Sequence, residues 1–439
     1  MQAEAGPDRG PDREGQGSAR DLDAVAGRVA AELLAQSHFL PPGAVTGAIA
    51  EVARPLGISG ACIYLSDLQQ VNLRRLPGSA GQFPDVLAID STTAGHTYQT
   101  VTVHHVPDDG DPDSHRVWIP LIDGTERLGV LELIVADVGE KMLAHYRMLA
   151  SLAGLIIVSK SNYSDTYAQT RRSQEMALQA EMVWAFMAPR TFATERALVT
   201  AILEPAYEVG GDAFDYSLIG DLLHVSIFDG VGHDLAAGLL TSVAMASCRS
   251  TRRSGGTLPD IAARAGQAIA DEFGDSRLGE TRFVTALLCD LNIATGAFSW
   301  IPCGHPPPLL IRGNKATEEL VRRPELPLGI TEPALTARRA AHPGQAKPTV
   351  YVEQLEPGDR VLLYTDGVTE ARAADGTSFG EQWLADFIIR YSDAGTPAPE
   401  TLRRLTRTII DYQDGRLSDD ATTVMLEWMP DHPERQLAP

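Results

Sequence analysis

Residues 208–234 read EVGGDAFDYSLIGDLLHVSIFDGVGHD, and the fold turns on how this stretch is parsed. An acid, Asp212, follows a Gly-Gly pair. A polar Gly220-Asp221 turn leads into the apolar run Leu222, Leu223, Val225, Ile227 and Phe228, which has the composition of a buried strand. Asp229 stands where that run ends, and Gly230 lets backbone come close to whatever Asp229 holds. From Leu235 the apolar spacing becomes three and four, through Leu239, Val243 and Ala246, so a helix begins there. Asp234 suits the N-cap of that helix. Taken alone, Asp229-Gly230 and Gly210-Gly211-Asp212 are ordinary turn chemistry.

The pattern recurs downstream. Glu356–Asp359 makes a turn, Arg360–Thr365 a buried strand, and that strand ends at Asp366-Gly367. Near the C-terminus, Asp419 and Asp420 stand at the mouth of a last strand, Ala421–Trp428. Acids thus sit at strand ends four times. If those ends converge, the carboxylates repel one another unless a cation joins them. No cysteine ligands and no multi-histidine set accompany them, so the donors are hard oxygens, which favours Mg²⁺ or Mn²⁺ over zinc.

The 439-residue chain carries 58 acidic and 37 basic side chains, a formal net charge of −21. That balance argues against nucleic acid or an anionic membrane as partner, and a phosphorylated substrate would be repelled without local cations. The four cysteines, Cys62, Cys248, Cys289 and Cys303, are spaced for neither zinc nor a disulfide framework. No N-terminal stretch resembles a signal peptide and no run approaches the length of a membrane span, so a cytoplasmic protein is expected. Residues 1–20, almost without apolar side chains, are expected to be disordered, and 431–439 to form a tail.

Between residues 21 and 160, helical spacing from Leu22 and from Val45 precedes strand-like runs at Ala61–Leu65, Val86–Ile89, Val101–Val106, Val117–Ile122 and Leu128–Val135. A helical pattern returns from Met142. This α+β stretch resembles a GAF domain, carried by Ser91–Thr100 (STTAGHTYQT) and Trp118–Leu133 (WIPLIDGTERLGVLEL); a PAS domain is the rival. The resemblance implies a sensor for a small-molecule or protein signal. Residues 161–190 then read as a connecting helix with Met176, Ala180, Val183 and Met187 on one stripe. Such a face packs on a domain or pairs with the same helix of a second chain, which would make a homodimer.

From about residue 191 to 430 an ordered set of segments appears: Pro205–Asp215 (PAYEVGGDAFD), Phe228–Gly238 (FDGVGHDLAAG), Phe283–Pro308, Leu326–Ile330 (LPLGI), Leu355–Arg372 (LEPGDRVLLYTDGVTEAR) and Ser418–Thr422 (SDDAT). The set resembles the SpoIIE/RsbU-type branch of the PPM, or PP2C-like, serine/threonine protein phosphatases. The resemblance implies an α+β chain whose C-terminal domain is an αββα sandwich holding two Mn²⁺ or Mg²⁺ ions. It implies that Asp229 bridges the ions, that the Gly230 carbonyl binds one, and that Asp366 and Asp419 complete the ligands. Asp212 would lie beside the second ion, directly or through water, and share the catalytic role with Asp229. Asp420 is the substitute for Asp419. His233 stands where the family has a basic residue, and is read either as a proton donor behind the ligands or as a polar residue at a helix start.

The chemistry implied is in-line attack of a hydroxide on phosphoserine or phosphothreonine, with no phosphoenzyme. The substrate implied is a phosphorylated STAS-domain anti-sigma-factor antagonist in a partner-switching stress pathway. A phosphatase-like docking scaffold is the alternative. The stretch between Ile330 and Val350 is longer than the family norm and is read as a flap over the cleft.

Overall fold

The computed structural model describes residues 14–430 except 80–81, 109, 274–281, 314, 331–346, 374–375, 415–416 and 418. The expected flap lies almost wholly outside the described residues. Contacts divide the chain into two units, residues 1–123 with 127–173, and 124–126 with 174–439.

In the first unit, helices α1 (Glu14–Ser37) and α2 (Val45–Val52) precede strands β1 (Ile58–Ser66), β2 (Asn72–Arg75) and β3 (Val86–Ala88). Helix α3 (Thr93–Thr100), strands β4 (His104–Asp108), β5 (Asp111–Asp123) and β6 (Glu126–Val135), and helices α4 (Glu140–Ser161) and α5 (Asp165–Arg171) follow. The strands form one sheet in the order β3-β2-β1-β6-β5-β4. Successive side chains of β1 face opposite sides, as strand geometry demands. Ala61, Ile63 and Leu65 join Leu33, Ile49, Leu149 and Ile157 of the helices. Cys62 and Tyr64 join Tyr98, Trp118 and Val130 on the other face.

Two expectations are corrected here. Only residues 1–13 of the expected disordered tail lie outside the described residues; Glu14–Arg20 already belongs to α1. No proline follows Pro11 in this stretch, so nothing stops the helix extending backwards from its apolar part. And α4 is long and apolar enough to cross a membrane by length and composition, with a mean hydropathy of 1.5 over its best window. Its Tyr146, Leu149, Ala153 and Ile157 are buried in the core of the unit.

The second unit opens with α6 (Leu178–Phe186), β7 (Thr191–Ala193), β8 (Ala197–Glu204), β9 (Asp212–Ile219), β10 (Leu222–Gly230), α7 (Leu235–Arg253) and α8 (Leu258–Phe273). It continues with β11 (Val284–Asn292), β12 (Ala297–Cys303), β13 (Leu309–Arg312), β14 (Lys315–Glu319), β15 (Tyr351–Gln354) and β16 (Arg360–Tyr364). Short helix α9 (Asp366–Thr369), helices α10 (Glu381–Asp393) and α11 (Ala398–Tyr412), and β17 (Ala421–Trp428) complete it. Two sheets result, β15-β12-β11-β10-β9 and β14-β13-β16-β17-β8-β7.

Alternation in β8 shows how the layers stack. Val199, Ala201 and Leu203 enter the core shared with Phe214, Ile227 and Leu287 of the other sheet. Leu198 and Ile202 enter a separate core with Leu384, Ile388, Leu402 and Leu405 of α10 and α11. Leu240, Met245, Ile261 and Ala265 of α7 and α8 join the first core. The order is helix, sheet, sheet, helix. Phe228, fully buried, contributes about 2–3 kcal/mol of that packing. Gly220, at φ 57°, makes the two-residue turn that sets Ile219 opposite Leu222. All four cysteines are free and buried.

The continuous connecting helix expected over 161–190 is replaced by two short ones, α5 and α6. Ser164 caps α5, its hydroxyl accepting from the Thr166 N–H. Before α6 the chain is extended at Ala177, whose N–H donates to the Tyr207 carbonyl, 2.9 Å away, instead of to its own helix. The apolar stripe is used for packing on a domain: Ala180 and Val183 are fully buried in the second unit's core, with Met176 and Met187 against it. Tertiary partners beat helical continuity because most helical stability in proteins comes from packing of an apolar face.

Candidate functional site

One cavity of about 750 Å³ opens at the end of the sandwich where β10, β16 and β17 bring their acids. Glu208, Asp229, Asp366, Asp419 and Asp420 line it, with Gly230, His233, Thr285 and Gln179; no lysine or arginine is among the described residues on its wall. The strand pairing explains the convergence. In one sheet β10 sets Asp229 opposite Asp212 of β9 and opposite Thr285 of β11. In the other, the Thr365 N–H donates to the Thr422 carbonyl at 3.0 Å, so β16 releases Asp366 beside the entry of β17.

Within each sheet the neighbouring strand ends approach so closely that only glycine fits. A Cβ on Gly211 would lie 2.2 Å from the Gly230 carbonyl oxygen, and one on Gly367 would lie 2.0 Å from the Asp420 carbonyl oxygen.

Asp229, Asp366 and Asp419, expected as ligands, all reach the cavity, and Gly230 lines it with them. Burial, then the charges of Asp366, Asp419 and Asp420, raise the Asp229 carboxyl well above the usual range. Burial and Asp419 raise Asp366. Asp420, expected as the substitute for Asp419, also lines the cavity. Its Oδ2 accepts from the backbone N–H groups of Gly210 and Gly211 at 2.9 Å and of Asp212 at 3.3 Å. It therefore ties the start of β9 to the start of β17.

Asp212 stands opposite Asp229 in the β9–β10 register. It is buried, is absent from the cavity wall, and its Oδ2 accepts from the Thr365 and Thr422 hydroxyls at 2.8 and 2.7 Å. Burial and the charge of Asp229 raise its carboxyl strongly. The Gly-Gly pair fixes where β9 starts, and that start turns the Asp212 carboxylate toward the facing sheet.

His233 is exposed and lines the cavity. Asp234 caps α7, its Oδ1 accepting from the Ala237 N–H at 2.9 Å and lying 3.7 Å from Arg282. Asp234→Ala is therefore expected to cost about 1 kcal/mol in urea unfolding, the usual cost of a lost cap, with metal affinity unchanged. Sequence reasoning missed Thr285, Thr365 and Thr422. A strand threonine reads as an ordinary strand former, and nothing local marks its hydroxyl as aimed at an acid two sheets' width away in sequence.

Whether the residues fit a divalent cation is decided by the donors. Mutually repelling oxygens on a wall without Lys or Arg form a site that a cation would neutralise, and hard ions suit such donors. Among the described residues, no three His, Cys, Asp or Glu side chains gather closely enough to grip one ion unaided. Mg²⁺ sites meet that condition by using one or two carboxylates and several waters.

A helix–sheet–sheet–helix unit with acids at the strand ends is the architecture of the PPM, PP2C-like class of phosphatase domains. Residues 220–429, just under half of the chain, match the family described as Stage II sporulation protein E (SpoIIE). It is 27% identical over 254 residues to Protein IcfG of Synechocystis sp., covering 52% of this chain and 37% of that protein. It is 23% identical over 230 residues to Phosphoserine phosphatase RsbU of Bacillus subtilis, covering 52% of this chain and 62% of that one. The chain thus spans less than two thirds of either curated relative. Among solved structures, the SiaA-PP2C domain of Pseudomonas aeruginosa is 19% identical, with a TM-score of 0.44 over 52% of this chain and 85% of that one.

Proposed function

We propose that this chain is a metal-dependent phosphoserine/phosphothreonine protein phosphatase whose first unit is a GAF-type sensor. The observation that carries the reading is the cavity wall: acids delivered from both sheets, with no lysine or arginine among the described residues there to receive a phosphate. Two Mn²⁺ or Mg²⁺ ions, when bound, supply that positive charge and activate water for attack at phosphorus. Asp229, Asp366 and Asp419, with the Gly230 carbonyl, are the residues that would hold them. Asp420 and Asp212 keep the two strand ends in register by binding backbone N–H groups and hydroxyls across the sheets. No side chain on the wall is needed as a phosphate-accepting nucleophile.

The substrate proposed is a phosphorylated STAS-domain antagonist of an anti-sigma factor, supported by the family and by the name of the RsbU relative. The strongly acidic chain agrees with this in one respect: a phosphoprotein is held only where cations screen the wall.

The test is hydrolysis of p-nitrophenyl phosphate and of a phosphoserine peptide after removal of metal with EDTA. Turnover is expected to be absent, to return with Mn²⁺ or Mg²⁺, and to stay absent with Ca²⁺-free buffer alone. Equal background rates in every condition would overturn the enzyme reading and leave the docking scaffold.

A further inference from the structure

Two side chains behind Asp229 have no part in the ligand set. Thr285 lies opposite Asp229 in the β10–β11 register, its Oγ1 3.4 Å from Asp229 Oδ2 and 2.8 Å from His305 Nδ1. His305 belongs to the Gly304-His305-Pro306 turn that follows β12. It is buried, and its ring also faces the Tyr364 backbone carbonyl.

A hydroxyl has one proton to donate and lone pairs with which to accept, so Thr285 Oγ1 can bond Asp229 Oδ2 and His305 Nδ1 at once. Burial lowers the imidazole to about 3, so it is neutral.

We infer that His305 and Thr285 are positioning residues, a hydrogen-bonded chain linking His305 Nδ1, Thr285 Oγ1 and Asp229 Oδ2 that presets the Asp229 carboxylate for a divalent cation. The inference rests on the metal-dependent reading above. Each bond in such a chain polarises the next. Outer partners of a ligand commonly govern metal affinity nearly as strongly as the ligands do. The plainer alternative is that Thr285 is a strand former and His305 a space filler.

Mn²⁺ binding measured by titration calorimetry separates the two, because it needs no turnover. Thr285→Val keeps the shape and removes the hydroxyl, and is expected to weaken Mn²⁺ binding about 10-fold, the lower end for lost outer partners. Thr285→Ser restores the hydroxyl and is expected to bind like the parent chain. His305→Leu should match Thr285→Val, and the double variant should be no weaker than either, since both break one chain. Circular dichroism confirms that each variant is folded; if His305→Leu fails to fold, the Thr285 pair decides. Parent-like binding by Thr285→Val, or equally weak binding by Thr285→Ser, overturns the positioning chain alone. A parent chain that binds no Mn²⁺ overturns the metal reading and this inference together.

Discussion

Asp229→Asn is expected to reduce Mn²⁺-dependent turnover on the order of 10³-fold or more, at least the loss caused by removing one preorganised charge-stabilising donor. The substitution keeps the side chain's size and its place at the end of β10. What it removes is the negative charge on which Asp366, Asp419 and Asp420 act. In metal-free protein that charge is a burden: it is largely buried and surrounded by like charges, so its loss is expected to leave the thermal midpoint unchanged or higher. The parent chain should gain thermal stability when Mn²⁺ is added, because binding to the folded state alone shifts the equilibrium. Asp229→Asn should lose that gain. Melting curves with and without Mn²⁺, beside turnover assays, check both halves. A variant that keeps its turnover, or that loses turnover only by unfolding, refutes the assignment of Asp229.

The second large effect separates two adjacent acids. Asp420→Ala leaves three buried backbone donors, on Gly210, Gly211 and Asp212, without their acceptor. Unmet buried donors cost about 1 kcal/mol or more each, so a loss of about 3 kcal/mol is expected, or roughly 6–12 °C for a domain of this size. Asp419 is exposed and holds no such group beyond the Asp420 N–H. Asp419→Ala is expected to change stability by less than about 0.5 kcal/mol, the range of ordinary surface changes. Its effect should fall on Mn²⁺ affinity instead. Thermal melts of the two variants, followed by Mn²⁺ titration, give a clean comparison. If both melt alike and bind alike, the division of labour between these neighbours is wrong.

Much of this was legible in residues 208–234. A turn glycine, an apolar strand and an acid at its exit each announce themselves locally, and the Asp234 cap is a one-residue signal. The repeat of strand, Asp, Gly at Asp366-Gly367 then pointed to the same cavity. What misled was the connector. Its apolar stripe is real, but a stripe does not say whether its helix is continuous, and the chain breaks where Ala177 finds the Tyr207 carbonyl. Helix α4, read as a helix of the first domain, is used that way, its apolar length buried inside the core.

The chain alone determined the strand ends and the identity of the acids there, because those follow from short-range periodicity and from turn chemistry; the layers it carried only through the resemblance to a family. Only the tertiary structure decided which oxygen of which acid faces the cavity. Asp212 and Asp420 look like Asp229 and Asp366 in sequence, each at a strand end beside glycine or another acid. They differ because partners 153 to 210 residues away, the hydroxyls of Thr365 and Thr422 and the N–H groups of Gly210 and Gly211, meet them across the two sheets. A carboxylate takes its role from what reaches it, and that is settled by the packing of one sheet on another.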